Sequence, residues 1–186
     1  MSFAKYQWEY ALPHRIRVGI SSCLLGEPVR WDGGHKRDHL LVSELGRFFE
    51  WLPVCPEVEV GMGVPRPPVR LLSVEAKIRM VENETGRDHT HAMRAYARRR
   101  AAELKERDLC GYVLKQDSPS CGMAGVTVYR TGAPSVRDGR GLFAEALIEA
   151  MPWLPVEDEG RLSDALLRER FIERVLACHR SRRSGG

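Results

Sequence analysis

The sequence contains no C-x-x-C pair. Ribbon-type zinc sites and ferredoxin-type cluster runs need closely spaced thiols, so both are excluded. Five cysteines are present, and an odd number in a chain with no sign of export argues against a disulfide framework. No apolar run approaches the roughly 20 residues a membrane-spanning helix requires. The opening "MSFAKYQWEYALPHRIRVG" has neither an apolar signal core nor a small-residue cleavage site, so the chain reads as cytoplasmic, with no membrane partner. Internal repeats are absent, and low complexity is confined to the tail. Any metal site must therefore be assembled from distant segments.

What is present fits one domain of ordinary size: 186 residues, of which 43% are hydrophobic, enough for a sizeable core. A net charge of +4 permits an anionic partner without demanding one. The basic residues cluster in "RAYARRRAAELKER" and in "HRSRRSGG". These read either as a solvated helix face and a frayed end, or as contacts for a polyanion.

The patterning alternates strands and helices. Ile16 to Ser21 reads as a buried strand. Residues 38–51 place Leu40, Leu41, Leu45, Phe48 and Phe49 on one helical face behind an Asp38 cap. Leu52 to Cys55 is a second strand, and "GMGVPRPPVRLL" is too rich in Gly and Pro for regular structure. Ile78 to Val81 is a strand, and a long basic helix runs from about Asp88 to Arg107 with Met93, Tyr96, Ala97 and Leu104 inward. Strands follow over Leu109 to Lys115 and Gly125 to Arg130, then a helix over 140–151 and a short strand over Leu154 to Val156. Ser163 caps a last helix to about Arg180. This order predicts an α/β fold: a three-layer, mostly parallel Rossmann-like sheet with helices on both faces.

Cys23, Cys55 and Cys121 each follow or end a predicted strand. The carboxyl ends of parallel strands share one edge, where ligands bind. Three thiols meeting there could hold zinc with an open fourth position, or an iron–sulfur cluster with one open iron. One of them could instead be a nucleophile. Cys110, inside a strand, and Cys178, inside a helix, read as small buried hydrophobes. His89 and His91 lie two apart, on different helix faces, which disfavours them as a metal pair. In "RWDGGHK", Asp32 and His35 could touch a ligand, though the segment also reads as a Gly-rich turn; Arg66 in "VPRPP" could face an anionic group.

The segments "SSCLLGEPVRWDGGHKR", "CPEVEVGMGVPRPP" and "SPSCGMAG" together resemble the TudS-like thiouracil desulfidase family, over about residues 15 to 155. The resemblance implies a [4Fe–4S] cluster on Cys23, Cys55 and Cys121, with Glu57 and Ser118 catalytic; Asp32, Arg66 and Ser120 are candidate substrate contacts beside them. It implies hydrolytic removal of sulfur from thiolated uracil, either the free 2- or 4-thio base or thiouridine in tRNA. The competing reading is a non-catalytic cluster or zinc sensor, or an RNA-binding module. After "PRPP" the family commonly carries an acidic or polar residue, where this chain reads "VRLLSVEAK". The resemblance also divides the chain into an N-terminal extension (1–14), a desulfidase-like domain (15–157) and a C-terminal connector helix with a basic tail (158–186).

Overall fold

A computed structural model describes residues 15–184. The expected N-terminal extension, 1–14, lies outside them. The fold is α/β and is built around an all-parallel sheet. Its strands are β1 (Ile16–Ser21), β2 (Phe49–Val54), β5 (Tyr112–Leu114) and β8 (Val156–Asp158), in the order β2-β1-β5-β8. A second sheet joins β3 (Val69–Val74), β4 (Lys77–Glu82), β6 (Val126–Arg130) and β7 (Ala133–Gly139) in the order β4-β3-β6-β7; only β3 and β6 are parallel.

Two cores flank the parallel sheet, because alternate strand residues point to opposite faces. Ile16, Val18, Ile20, Phe49 and Val113 face helix α5 (Ala165–Ser184), which contributes Phe171, Ile172, Val175 and Leu176. Tyr112, Leu114 and Val54 face the other way. There they pack with α2 (Thr90–Lys105), α3 (Leu142–Ala150) and the inner residues of the second sheet, Leu71, Met80, Val126 and Val128. Two short helices complete the set, α1 (Pro56–Glu59) and α4 (Glu159–Leu162). The predicted inner stripe of α2 is buried as expected: Met93, Tyr96, Ala97 and Leu104. Among the described residues, no helix is long and apolar enough to cross a membrane.

Several expected elements differ. The helix expected over 38–51 is only a π turn (Leu40–Glu44) and a 3-10 turn (Leu45–Arg47), after which Phe49 already belongs to β2. Gly46 weakens the helix, and the aromatic, extended pairing of Phe49 with Ile16 wins. Asp38 still caps, accepting the Leu41 N–H at 3.0 Å. The stretch after Pro68 is the regular strand β3, not a loop, because it pairs on both sides. β7 escaped notice because it contains Pro134 and is almost wholly exposed; as an edge strand it tolerates both. Cys110 lies before β5 rather than inside a strand. Asp164, not Ser163, caps α5, accepting from Leu166 and Leu167 N–H at 2.8 and 3.0 Å.

Candidate active site

Strands β2, β1 and β5 are neighbours, and their carboxyl ends open on one side. Cys23 sits in the 3-10 turn (Ser22–Leu25) that follows β1, Cys55 directly after β2 at the start of α1, and Cys121 in the loop after β5. All three line one cavity of about 310 Å³. Glu57, Arg66, Ser118 and Ser120 line it too, as do Trp31, Lys36, Lys115 and Gln116. The structure thus brings together every expected site residue except Asp32 and His35. Asp32 instead accepts the Gly34 N–H at 3.0 Å and pairs with Arg30, and His35 accepts the Arg37 N–H. That backbone hydrogen bond holds the Asp32 carboxyl below its usual range.

One connected chain of polar groups crosses the cavity. Arg66 Nε and Nη2 both donate to Glu57 Oε2, at 2.8 and 2.6 Å. Arg66 Nη1 donates to the Val29 and Gly63 carbonyls, each at 2.9 Å. Arg66 is therefore committed to protein acceptors, and its side chain is only 3% exposed. Glu57 Oε1 accepts the Ser120 hydroxyl at 2.7 Å, and Ser120 Oγ lies 3.0 Å from Ser118 Oγ. Ser118 Oγ also accepts the backbone N–H groups of Ser120 and Cys121, at 3.3 and 3.1 Å. Its acceptor capacity is thereby filled, so its own proton points to Ser120. The chain has a direction: Ser118 donates to Ser120, and Ser120 donates to Glu57.

Glu59, two residues on, does different work. It accepts the Tyr96 hydroxyl at 2.8 Å and forms an ion pair with Arg100, which ties α1 to α2. A positive side chain, Lys115, lines the same cavity. Lys115 Nζ pairs with Glu159 and donates to the Gln116 carbonyl, while Glu159 also accepts the Gln116 N–H at 2.7 Å. This pair was missed in the sequence; its only signal was a lysine at the end of a strand, just before "QDSPSC".

The three thiols feel their burial and each other. Burial, then the neighbouring Cys55, pushes the Cys23 thiol up to about 11, with Lys115 acting the other way. Burial raises Cys55 and Cys121 as well; for Cys121 the Ser21 hydroxyl opposes the rise. Unliganded, these thiols stay protonated, and binding a metal must release their protons. Three soft donors converging on one cavity suit zinc, copper(I) or an iron–sulfur unit. Among the described residues, however, no three His, Cys, Asp or Glu side chains are gathered closely enough to hold a single ion. Ligands of one zinc must all come within about 2.3 Å of it. A cluster spreads its metal corners, so more widely set thiols fit it.

The 2-thiouracil desulfurase family matches residues 18–159. YbbK of Bacillus subtilis strain 168, an uncharacterized protein, is 28% identical over 152 residues, covering 79% of this chain and 98% of that protein. Among solved structures, the [4Fe–4S]-dependent thiouracil desulfidase TudS is 30% identical with a TM-score of 0.63, covering 84% of this chain and 99% of that one. With its family match spanning both cysteine-bearing turns and the serine loop, the chain belongs to the 2-thiouracil desulfurase family.

Proposed function

We propose that this protein is a [4Fe–4S]-dependent desulfidase that hydrolyses free thiolated uracil, converting thiouracil and water to uracil and hydrogen sulfide. One observation carries the reading: three thiols and a directed Ser118–Ser120–Glu57 chain line the same cavity. Cys23, Cys55 and Cys121 would hold the cluster. When bound, it supplies a soft, Lewis-acidic iron that prefers a thiocarbonyl sulfur to water.

The chain's own residues supply the proton chemistry. Glu57 acts as the base, taking a proton at Oε1 through the Ser120 hydroxyl. Ser118 donates to Ser120 and so turns that hydroxyl toward Glu57, leaving one Ser120 lone pair to take the proton of the attacking water. Arg66 holds Oε2, so the carboxylate cannot swing away from the cavity. Lys36 and Lys115 on the lining favour an anionic product such as hydrosulfide.

The free base is favoured over thiouridine in tRNA for two reasons. A cavity of about 310 Å³ is of small-molecule size. Moreover, much of the basic helix is paired within the protein: Arg94 with Glu145, Arg99 with Glu103, and Arg100 with Glu59 and Glu103. The test is to measure sulfide and uracil released from 2- and 4-thiouracil by protein purified without oxygen, beside thiolated tRNA. Release from the base, at a rate unchanged by salt, is the expected result. Turnover of tRNA alone, falling steeply with salt, would transfer the substrate to RNA. No release from either, in protein carrying full iron, would leave a cluster-binding protein without this activity.

A further inference from the structure

Two cysteines take no part in the site above, and they lie against each other. Cys110 leads into β5, and Cys178 comes from α5. The helix passes so close that a Cβ on Gly111 would lie 2.8 Å from Val175 Cγ2 and 3.3 Å from the Phe171 ring. Three residues beyond Val175, Cys178 packs against the apolar cluster that holds Cys110, and the two thiols lie within reach of each other's influence. Cys110 is 2% exposed, whereas Cys178 is only partly covered. Arg182, one turn further along α5, contacts the Cys178 thiol, binds Asp108 Oδ1 at 3.0 Å and lies 4.6 Å from the Trp153 ring centre.

We infer that Cys178 is a hydroperoxide-reactive thiol and that Cys110 is its resolving partner, forming a modification site separate from the cavity. An accessible nucleophile, a fixed guanidinium beside it and a second thiol in contact are the parts such a site needs. The Cys110 contact, and then the Arg182 charge, bring the Cys178 thiol down to about 7, although burial opposes them. The same contact and burial push Cys110 up, which keeps it protonated until it is needed.

The chemistry balances with a hydroperoxide as the oxidant. The Cys178 thiolate attacks the terminal peroxide oxygen; the O–O bond breaks and the alcohol leaves with a proton, giving a sulfenic acid. Cys110 sulfur then attacks Cys178 sulfur; the S–O bond breaks, and hydroxide leaves with the Cys110 proton as water. Two thiols and one hydroperoxide give one disulfide, one alcohol and one water. A dithiol reductant restores the pair.

To test this, the full chain purified without oxygen is treated with one equivalent of cumene hydroperoxide, with dimedone present, and mapped by mass spectrometry. The expected product is a Cys110–Cys178 disulfide in the unaltered protein and a dimedone adduct on Cys178 in Cys110→Ser. Cys178→Ser should leave Cys110 reduced. Arg182→Met should slow oxidation of Cys178 by roughly threefold, through loss of thiolate. An unmodified Cys178 in both the unaltered protein and Cys110→Ser would overturn the inference, as would equal oxidation of Cys110 when Cys178 is absent.

Discussion

Two groups of thiols lie at opposite ends of the same three-residue strand. At the carboxyl end of β5, Cys121 joins Cys23 and Cys55 around a cavity. At the amino end, Cys110 meets Cys178 beneath a helix. The residue type is the same, but the surroundings treat it in opposite ways. Around the cavity, burial and neighbouring thiols keep protons on sulfur, so that only a metal of sufficient affinity removes them. Under the helix, a partner thiol and a guanidinium ease the loss of one thiol's proton. The difference teaches that cysteine chemistry here is assigned by position in the fold, not by the count or spacing of cysteines along the chain.

The comparison breaks most sharply at the metal. Replacing any one of Cys23, Cys55 or Cys121 by Ser should remove most bound iron and all desulfidation, whereas Cys110→Ser and Cys178→Ser should retain both. Iron and acid-labile sulfide analysis of anaerobically purified variants makes the distinction. Equal iron in all five would erase the contrast between the two ends.

The next effect separates ligands from acid–base groups within the cavity. Glu57→Gln should keep its iron and lose activity by about 10²–10⁴-fold, the usual worth of a positioned acid or base. Ser118→Ala should lose less, because water replaces a hydroxyl relay in part. Steady-state sulfide release, paired with iron content, measures both.

A smaller effect concerns the helix end alone. Gly111→Ala drives a methyl group into Val175, and overpacking of this kind costs about 1–3 kcal/mol. Urea unfolding should show the loss, and the thiol contact under α5 should loosen with it.

The mildest test is a pH series. With Cys178 lowered to about 7, its alkylation by iodoacetamide should rise as pH climbs through that value, because the thiolate is the reacting form. Cys110, whose thiol is shifted upward, should stay unlabelled over the same range. Peptide mapping at pH 6, 7 and 8 reads both. A Cys178 that labels only above the ordinary thiol range would remove the difference between the two ends.

Much of the cavity was legible in the sequence because it depends on strand ends. Ile16–Ser21 is short, apolar and followed at once by Cys23, and a parallel strand so placed has one edge for its ligands. Glu57 and Ser118 came from resemblance, and their geometry could not have come from spacing. Ser120 joins them only because the loop after β5 folds back on α1, a contact between residues 63 apart in sequence. Arg66 was read as facing a ligand; its commitment to Glu57 depends on how the loop after α1 closes, which no local pattern encodes. The second sheet was half hidden for a different reason. β7 is polar and exposed, and β3 starts right behind a run of prolines, so neither carries the alternation that marks a strand. Cys110 and Cys178 both looked like buried filler because each does sit against the core; only the crossing of α5 over Gly111 brings them into contact.

The hydrogen bonds of Arg66 bear on how the segments around the cavity depend on one another. Its side chain reaches Glu57 on α1, Val29 in the loop after β1 and Gly63 in the loop after α1, while its own N–H donates to the Trp31 carbonyl at 2.9 Å. One residue thus closes a helix and two loops over the cavity, so a change at Arg66 is expected to loosen all three segments together and not the carboxylate alone.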